Sequence, residues 1–274
     1  MPKINRRHYT LLVIIFAATL LLAVLLGGIL LSEDRIATNL EMRNLSPSIE
    51  HPFGTDWLGR DMFARTLKGL SLSIGVGMAA AAASVSIALI LGMAAAILGK
   101  AMDAAVTWLV DLFLGVPHLV ALILISFAVG GGVTGIIVGV ALTHWPSLTR
   151  VIRAEVMQLR SAEFVQVSRR LGKSRWWVAT RHILPHLLPQ FFVGFLLLFP
   201  HAILHEAAVT FLGFGLSPHK PAIGIILSES MRYLSAGMWW LAFFPGISLL
   251  IIVRTFDVLG DNLRKLIDPH SAHE

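Results

Sequence analysis

The stretch from 200 to 216, PHAILHEAAVTFLGFGL, sets His201, His205 and Glu206 in one of the most apolar parts of the chain. His201 and His205 are four residues apart, so a helix carries them on one face, one turn apart. Two imidazoles accept Ni²⁺, Zn²⁺ or Cu²⁺, yet two donors do not specify a tight, closed site. Transient ligation by His201 and His205 would suit a transport path, because cargo held too tightly does not leave. Three more ionisable groups have apolar neighbours: Asp111 in TWLVDLFLGVPHLV, His118 beside Pro117, and His144 beside Trp145 and Pro146. An isolated charge in lipid is costly, so each either lines a pathway or is satisfied by an adjacent helix. The sequence leaves both readings open. It contains no cysteine, which excludes disulfides, thiolate metal sites and cysteine nucleophiles. No complete catalytic constellation is present, and an enzyme is not expected.

The elements that carry these residues are membrane spans. Of the 274 residues 56% are hydrophobic and only 14% charged, against about 25% charged in an average soluble domain; the mean hydropathy is +0.76. Since roughly 20 apolar residues cross a bilayer core, the candidates are 9–31, 70–98, 104–129, 133–149, 187–211 and 236–256. The first follows Lys3, Arg6 and Arg7 but is too long for a signal h-region and has no small-residue cleavage site, so it reads as a retained span. The second is rich in Gly, Ala and Ser, which let helices approach closely in lipid. The fourth is short and holds His144, but without it the basic C-terminal segment would be stranded outside.

Lys and Arg asymmetry gives the orientation. With both termini inside, the inner segments hold Lys3, Arg6 and Arg7; Lys100; the dense group Arg150, Arg153, Arg160, Arg169, Arg170, Lys173, Arg175 and Arg181; and Arg254, Arg264 and Lys265. The outer loop 212–235 holds only Lys220 and Arg232. The net charge of +6 is therefore a matter of topology, and nucleic acid is not an expected partner.

The inner connection 150–186 is too charged to cross, yet its apolar residues recur at helical spacing until Gly172 breaks the pattern. Ser174 is a plausible N-cap for a second short helix bearing Arg175, Trp176 and Trp177. Such a helix either lies at the headgroups or docks into a partner; periodicity does not decide between them.

At this point the chain resembles a family. The segment RSAEFVQVSRRLGKSRWWVATRHILP is similar to the coupling loop of permeases in ATP-driven importers, with Gln166, Val167, Ser168, Gly172, His182, Leu184 and Pro185 at the motif positions. Only the glycine and the Leu-Pro match that motif unchanged. HPFGTDWLGRDMFART at 51–66 closely resembles the HPLGTDxxGRDxxSR segment of dipeptide, oligopeptide and nickel importer permeases. FLGFGLSP at 211–218 and FDVLGDNLRKLIDP at 256–269 resemble its other signatures. The four matches stand in the expected order, and the likeness is to the shorter, second permease of a heteromeric pair.

The resemblance implies an all-α, six-span type I permease fold in the cytoplasmic membrane of a bacterium or archaeon. It implies five sections: an inner N-terminus at 1–8, a first span at 9–31, an outer loop at 32–69, a five-helix core at 70–256 and an inner tail at 257–274. The partners implied are a homologous permease, two ATP-binding subunits, an extracytoplasmic solute-binding protein and the bilayer. ATP and magnesium would be used by those ATP-binding subunits, in keeping with the lack of a GxxxxGKS or GxxxxGKT loop here. Gly172, Lys173, Ser174, Arg175, Trp176, Trp177, Leu184 and Pro185 would couple the spans to the ATPases. Gly54, Thr55, Asp56, Gly59, Arg60 and Asp61 read as a structural turn and local ion network before the second span.

Glu206 and the FLGFG stretch belong to the family frame. The histidines at 201 and 205 are additions to it and resemble the nickel-importing branch, as does the ending with His270 and His273. Nickel, or a related metal ion or chelate, is the expected cargo; peptide is the alternative, and a non-transporting membrane subunit is the reading from another class.

Overall fold

The computed structural model describes residues 6–267, so the histidine-bearing end of the chain lies outside the described residues. The first helix, α1, runs Arg6–Leu30 and is followed by two short 3-10 turns, Glu33–Ile36 and Leu40–Met42. Then come α2 (Met62–Leu98), α3 (Lys100–Gly115), α4 (His118–Ala128), α5 (Gly132–Ser161), α6 (Glu163–Arg170) and α7 (Arg175–Val178). A π-helical turn, Ala179–Ile183, joins α7 to α8 (Leu184–Phe211); α9 (Ile223–Met231) and α10 (Trp240–Ile267) complete the described chain.

Five helices are long and apolar enough to cross a membrane, and the pair α3 and α4 makes a sixth crossing if taken as one broken span. The apolar run at 104–129, expected as a single span, is therefore bent by 100° between the two helices. The cause is local. Pro117 has no N–H to continue α3 and disfavours helical geometry at the residue before it, and Val116 is extended at φ −95°, ψ 137°. His118 is consequently the first residue of α4.

Helix α2 is the hub, packed on α1, α3, α5 and α8. Its buried face is a run of small residues, among them Ala80, Ala81, Ser84, Ala88, Ala95 and Ala96, which lets α5 lie close. Of the four apolar clusters among the described residues, two are the larger. One joins Leu70, Ile74, Leu122, Ile136, Phe199, Ile203 and Ile252, and the other joins Val106, Trp145, Ile152, Val165, Val178, Ile183 and Leu187. The second links the spans to the short helices α6 and α7. Helix α1 buries only Ala17 and Leu21 among its large and small apolar residues, and leaves Leu12, Ile15, Phe16 and Ile29 exposed. It is an arm laid on α2 and α10 with its other side open to lipid or another chain.

Several helices outrun their apolar stretches. Helix α2 begins at Met62 because Asp61 caps it, accepting from the Ala64 N–H at 2.8 Å. Helix α5 continues through Arg150, Arg153 and Arg160 to Ser161, and α10 continues to Ile267. Charge sets where apolarity ends, but helical hydrogen bonding carries on into the polar boundary.

Candidate functional site

Three regions hold polar side chains in defined geometry. At one end of the helices, called here the Trp57 end, the motif at 51–66 folds into a joint. Gly54 and Gly59 turn the chain at φ 70° and 72°. At Gly59 a Cβ would fall 1.7 Å from the carbonyl oxygen of Asn39, so only glycine fits. The Thr55 hydroxyl donates to the Met42 carbonyl and accepts from the Leu45 N–H at 2.9 Å. Asp56 is fully buried; it accepts from Arg60 Nε at 2.7 Å, Arg65 Nη1 at 2.6 Å, and the N–H groups of Leu58 and Arg60 at 2.9 and 3.0 Å. Arg65 Nη2 then donates to Glu229 on α9 at 2.8 Å, and His51 pairs with Asp61 at 2.7 Å. Trp57 stacks on Tyr233, 4.6 Å between centroids, beside a cleft of about 430 Å³. The motif thus ties the start of α2 to α9.

The second region contains the end of α8. Glu206 is fully buried and accepts from the Thr210 hydroxyl at 3.0 Å, while Thr210 accepts from the Leu216 N–H at 3.2 Å. Gly224 of α9 is packed so that a Cβ would meet the Ala207 carbonyl at 2.3 Å. The FLGFG stretch folds back on its own helix with Phe211, Leu212 and Phe214 exposed, while Gly224 packs α9 against that helix. Glu206 Oε1 takes part in that closure, while its Oε2 is buried without a hydrogen-bond partner among the described residues, and a pathway role for Glu206 stays an expectation from the sequence.

The histidines arrange themselves differently from their spacing. His201 is exposed; its backbone carbonyl, rather than its ring, meets His205 Nδ1 at 2.7 Å. His205 instead stands with His118 and His144, which come from α8, α4 and α5 respectively. Ring centroids are 4.4 Å apart for His118 and His144, 4.6 Å for His118 and His205, and 4.9 Å for His144 and His205. One ring nitrogen from each lies within 4.8 Å of the other two. Counting about 1.5 Å per residue, the three residues lie roughly 9 to 18 Å along their helices from the Trp57 ends. Asp111 does not join them. It pairs with Arg150 at 2.5 Å on an exposed face between α3 and α5.

The third region is the opposite, Trp176 end. Gly172 turns the chain at φ 78°, and the Ser174 hydroxyl caps α7 by accepting from the Trp177 N–H at 3.1 Å. Leu171, Gly172, Lys173, Ser174, Arg175, Trp176 and Trp177 are all exposed, Trp176 to 75%. Lys173 Nζ lies 4.9 Å from the Trp177 ring centroid. Beneath this cap, His182 bonds to the Ser168 hydroxyl at 2.9 Å and packs edge-on to Phe164 and Trp177, fastening α6 to the start of the long helix. Arg153 pairs with Asp103, and Arg160 donates to the Ala96 carbonyl, which anchors the end of α5 to α2 and α3. Leu184 is partly buried and Pro185 exposed at the first turn of α8.

Sequence reasoning found every histidine of the cluster but not the cluster. Helical spacing relates residues on one helix only, and His118, His144 and His205 lie on three. The Arg65–Glu229 link and helix α9 were also missed; the apolar run Ile223–Leu227 was the available signal for α9.

Known proteins match this arrangement. The model of the family described as "Binding-protein-dependent transport system inner membrane component" matches residues 88–272. The dipeptide transport system permease protein DppC of Bacillus subtilis is 31% identical over 91% of this chain and 78% of its own. The nickel transport system permease protein NikC of Escherichia coli K12 is 32% identical over 99% of this chain and 98% of its own. Similar relatives named for peptide transport outnumber those named for nickel, and no substrate branch dominates. In solved structures, the inward-facing MetNI methionine ABC transporter has a chain that superposes at a TM-score of 0.59 and 18% identity, covering 76% of this chain and 98% of that one, a likeness of fold. This multi-pass inner-membrane protein thus belongs to the binding-protein-dependent transport system inner membrane components, as a permease subunit of a dipeptide, oligopeptide and nickel type ABC importer whose ATP is hydrolysed in separate ATPase partners.

Proposed function

We propose that the chain forms half of a translocation pathway for nickel or a related transition-metal ion or chelate. The observation that carries this reading is the meeting of His118, His144 and His205 from three apolar helices. Imidazole suits nickel, copper and zinc, and an apolar bundle has little reason to gather three such rings for packing alone. The other half of the pathway comes from a second permease, cargo arrives from a solute-binding protein, and both termini lie on the ATPase side. The exposed segment from Gly172 to Trp177 docks on the ATPase pair. ATP-driven closure displaces it, giving the two states of the pathway a differential contact with the motor.

Peptide import is the second reading, favoured by the names of the relatives. Reconstituting the full importer and measuring ATP-dependent uptake of nickel, nickel–histidine and short peptides separates the two. Nickel or its chelate is expected to accumulate; uptake of peptides alone would overturn the metal reading in favour of the second.

A further inference from the structure

The histidine cluster has the character of a specific coordination site. We propose that His118, His144 and His205 together hold one divalent transition-metal ion by three imidazole nitrogens, leaving its other coordination positions to ligands that travel with it. This rests on the reading of a metal cargo and says where and how that cargo pauses.

Two of the rings are already oriented by the backbone. His144 Nδ1 lies 3.0 Å from the Val140 carbonyl, and His205 Nδ1 lies 2.7 Å from the His201 carbonyl. A carbonyl accepts, so each ring carries its proton on Nδ1; His205 Nδ1 also lies 3.4 Å from His144 Nε2, so a metal at that nitrogen would replace an imidazole contact. His118 supplies the complementary signal: its Nε2 is buried and has no hydrogen-bond partner among the described residues. Buried polar atoms are normally paired, and of the unpartnered ones among the described residues this nitrogen stands beside two further imidazoles, where an ion would satisfy it.

Donor number and type narrow the cargo. Nitrogens on a common ion at about 2.1 Å stand roughly 3.0 to 3.4 Å apart, so the group, now within 4.8 Å, would draw together by about 1 to 2 Å on binding. The group of three contains no carboxylate, which disfavours magnesium and calcium and favours nickel, copper or zinc. Three donors fill half an octahedron. The remaining positions admit water or a small chelator, and an incomplete set lets the ion go.

His201 has a defined and different place. It contributes its carbonyl to orient His205, and its own ring is outside the site. Removing that ring leaves the carbonyl in place.

The test uses the intact importer in detergent, without nucleotide, titrated with nickel chloride and with nickel–histidine by calorimetry, alongside X-ray absorption at the nickel edge. One equivalent is expected to bind with an imidazole signature. His118→Ala, His144→Ala and His205→Ala should each weaken binding beyond the roughly tenfold to hundredfold cost of losing an outer-shell partner, and His201→Ala should leave it unchanged. Unaltered binding in the triple variant would overturn the site, as would an absorption spectrum without imidazole in the wild-type complex, which needs no variant to fold. Nickel uptake persisting in a folded triple variant would also overturn it while sparing the metal reading. Peptide-only uptake by a wild-type complex that still binds nickel through imidazoles would sink the cargo reading and keep the site.

Discussion

Two ionisable centres sit among these helices, and they are built on opposite terms. Asp56 at the Trp57 end is surrounded by two arginines and two backbone N–H groups, with Glu229 taking up the second arm of Arg65. The three histidines have no acid in their group, and one of them keeps a buried nitrogen without a partner among the described residues. Arg60 Nη2 has no hydrogen-bond partner among the described residues but lies 3.5 Å from Glu229 Oε2, so the charges at the Trp57 end face opposite charges, as suits a joint between elements. A polar centre with capacity left over and no opposite charge in its group is a place where something else can sit. The contrast separates structural polarity from functional polarity in a chain where both are scarce.

The comparison breaks first at Asp56. Asp56→Ala leaves Arg65 buried without its main partner, and loss of about 3 to 5 kcal/mol of stability is expected; thermal unfolding of the detergent-solubilised permease complex measures it. An unshifted midpoint would show that the joint is not a joint. Glu229→Gln removes a partner that is partly solvated, and about 1 to 2 kcal/mol is expected in the same assay, with α9 loosened from α2 as seen by hydrogen exchange. A loss equal to that of Asp56→Ala would mean that the two acids act as one unit.

On the other side of the comparison, His144→Ala should cost about 1 kcal/mol, less than Asp56→Ala, because it removes a ring in contact with the Val140 carbonyl, the Thr143 hydroxyl and His205 but leaves no buried charge unpaired. Its effect belongs in nickel binding. A large stability loss with unchanged nickel affinity would reclassify the three rings as a second joint. The smallest expected structural effect is that of Trp176→Ala, within about 0.5 kcal/mol, as for exposed positions generally. ATP-dependent uptake should nevertheless fall, and uptake at the wild-type rate in an assembled complex would remove Trp176 from the docking surface.

Much of the fold could be read from apolar runs, since lipid leaves few options for the backbone. What could not be read were the places where local chemistry overrode hydropathy. Pro117 divides one apolar run into α3 and α4, and helices α5 and α10 carry on through arginines that a hydropathy profile assigns to loops. The chemistry at 51–66 was legible because its acids, bases and glycines are close in sequence, so their partners are near neighbours. The histidines were not, for the opposite reason. The spacing of His201 and His205 suggested a pair on one face, whereas the rings that meet are brought together by the packing of α4, α5 and α8.

The π-helical turn at Ala179–Ile183 has a consequence for how the two ends of the long helix are related. A π turn holds one residue more than the α-helical turn it replaces, and one residue is about 100° of rotation. Everything beyond Ile183 is therefore indexed by that offset against Arg175, Trp176 and Trp177. The turn acts as a phase adjuster on a shaft: it fixes the compass bearing of His205 relative to the docking face, while Trp176 and His205 remain on one continuous rod. A one-residue deletion there would turn α8 by about 100° against α6 and α7 and point His205 away from His118 and His144.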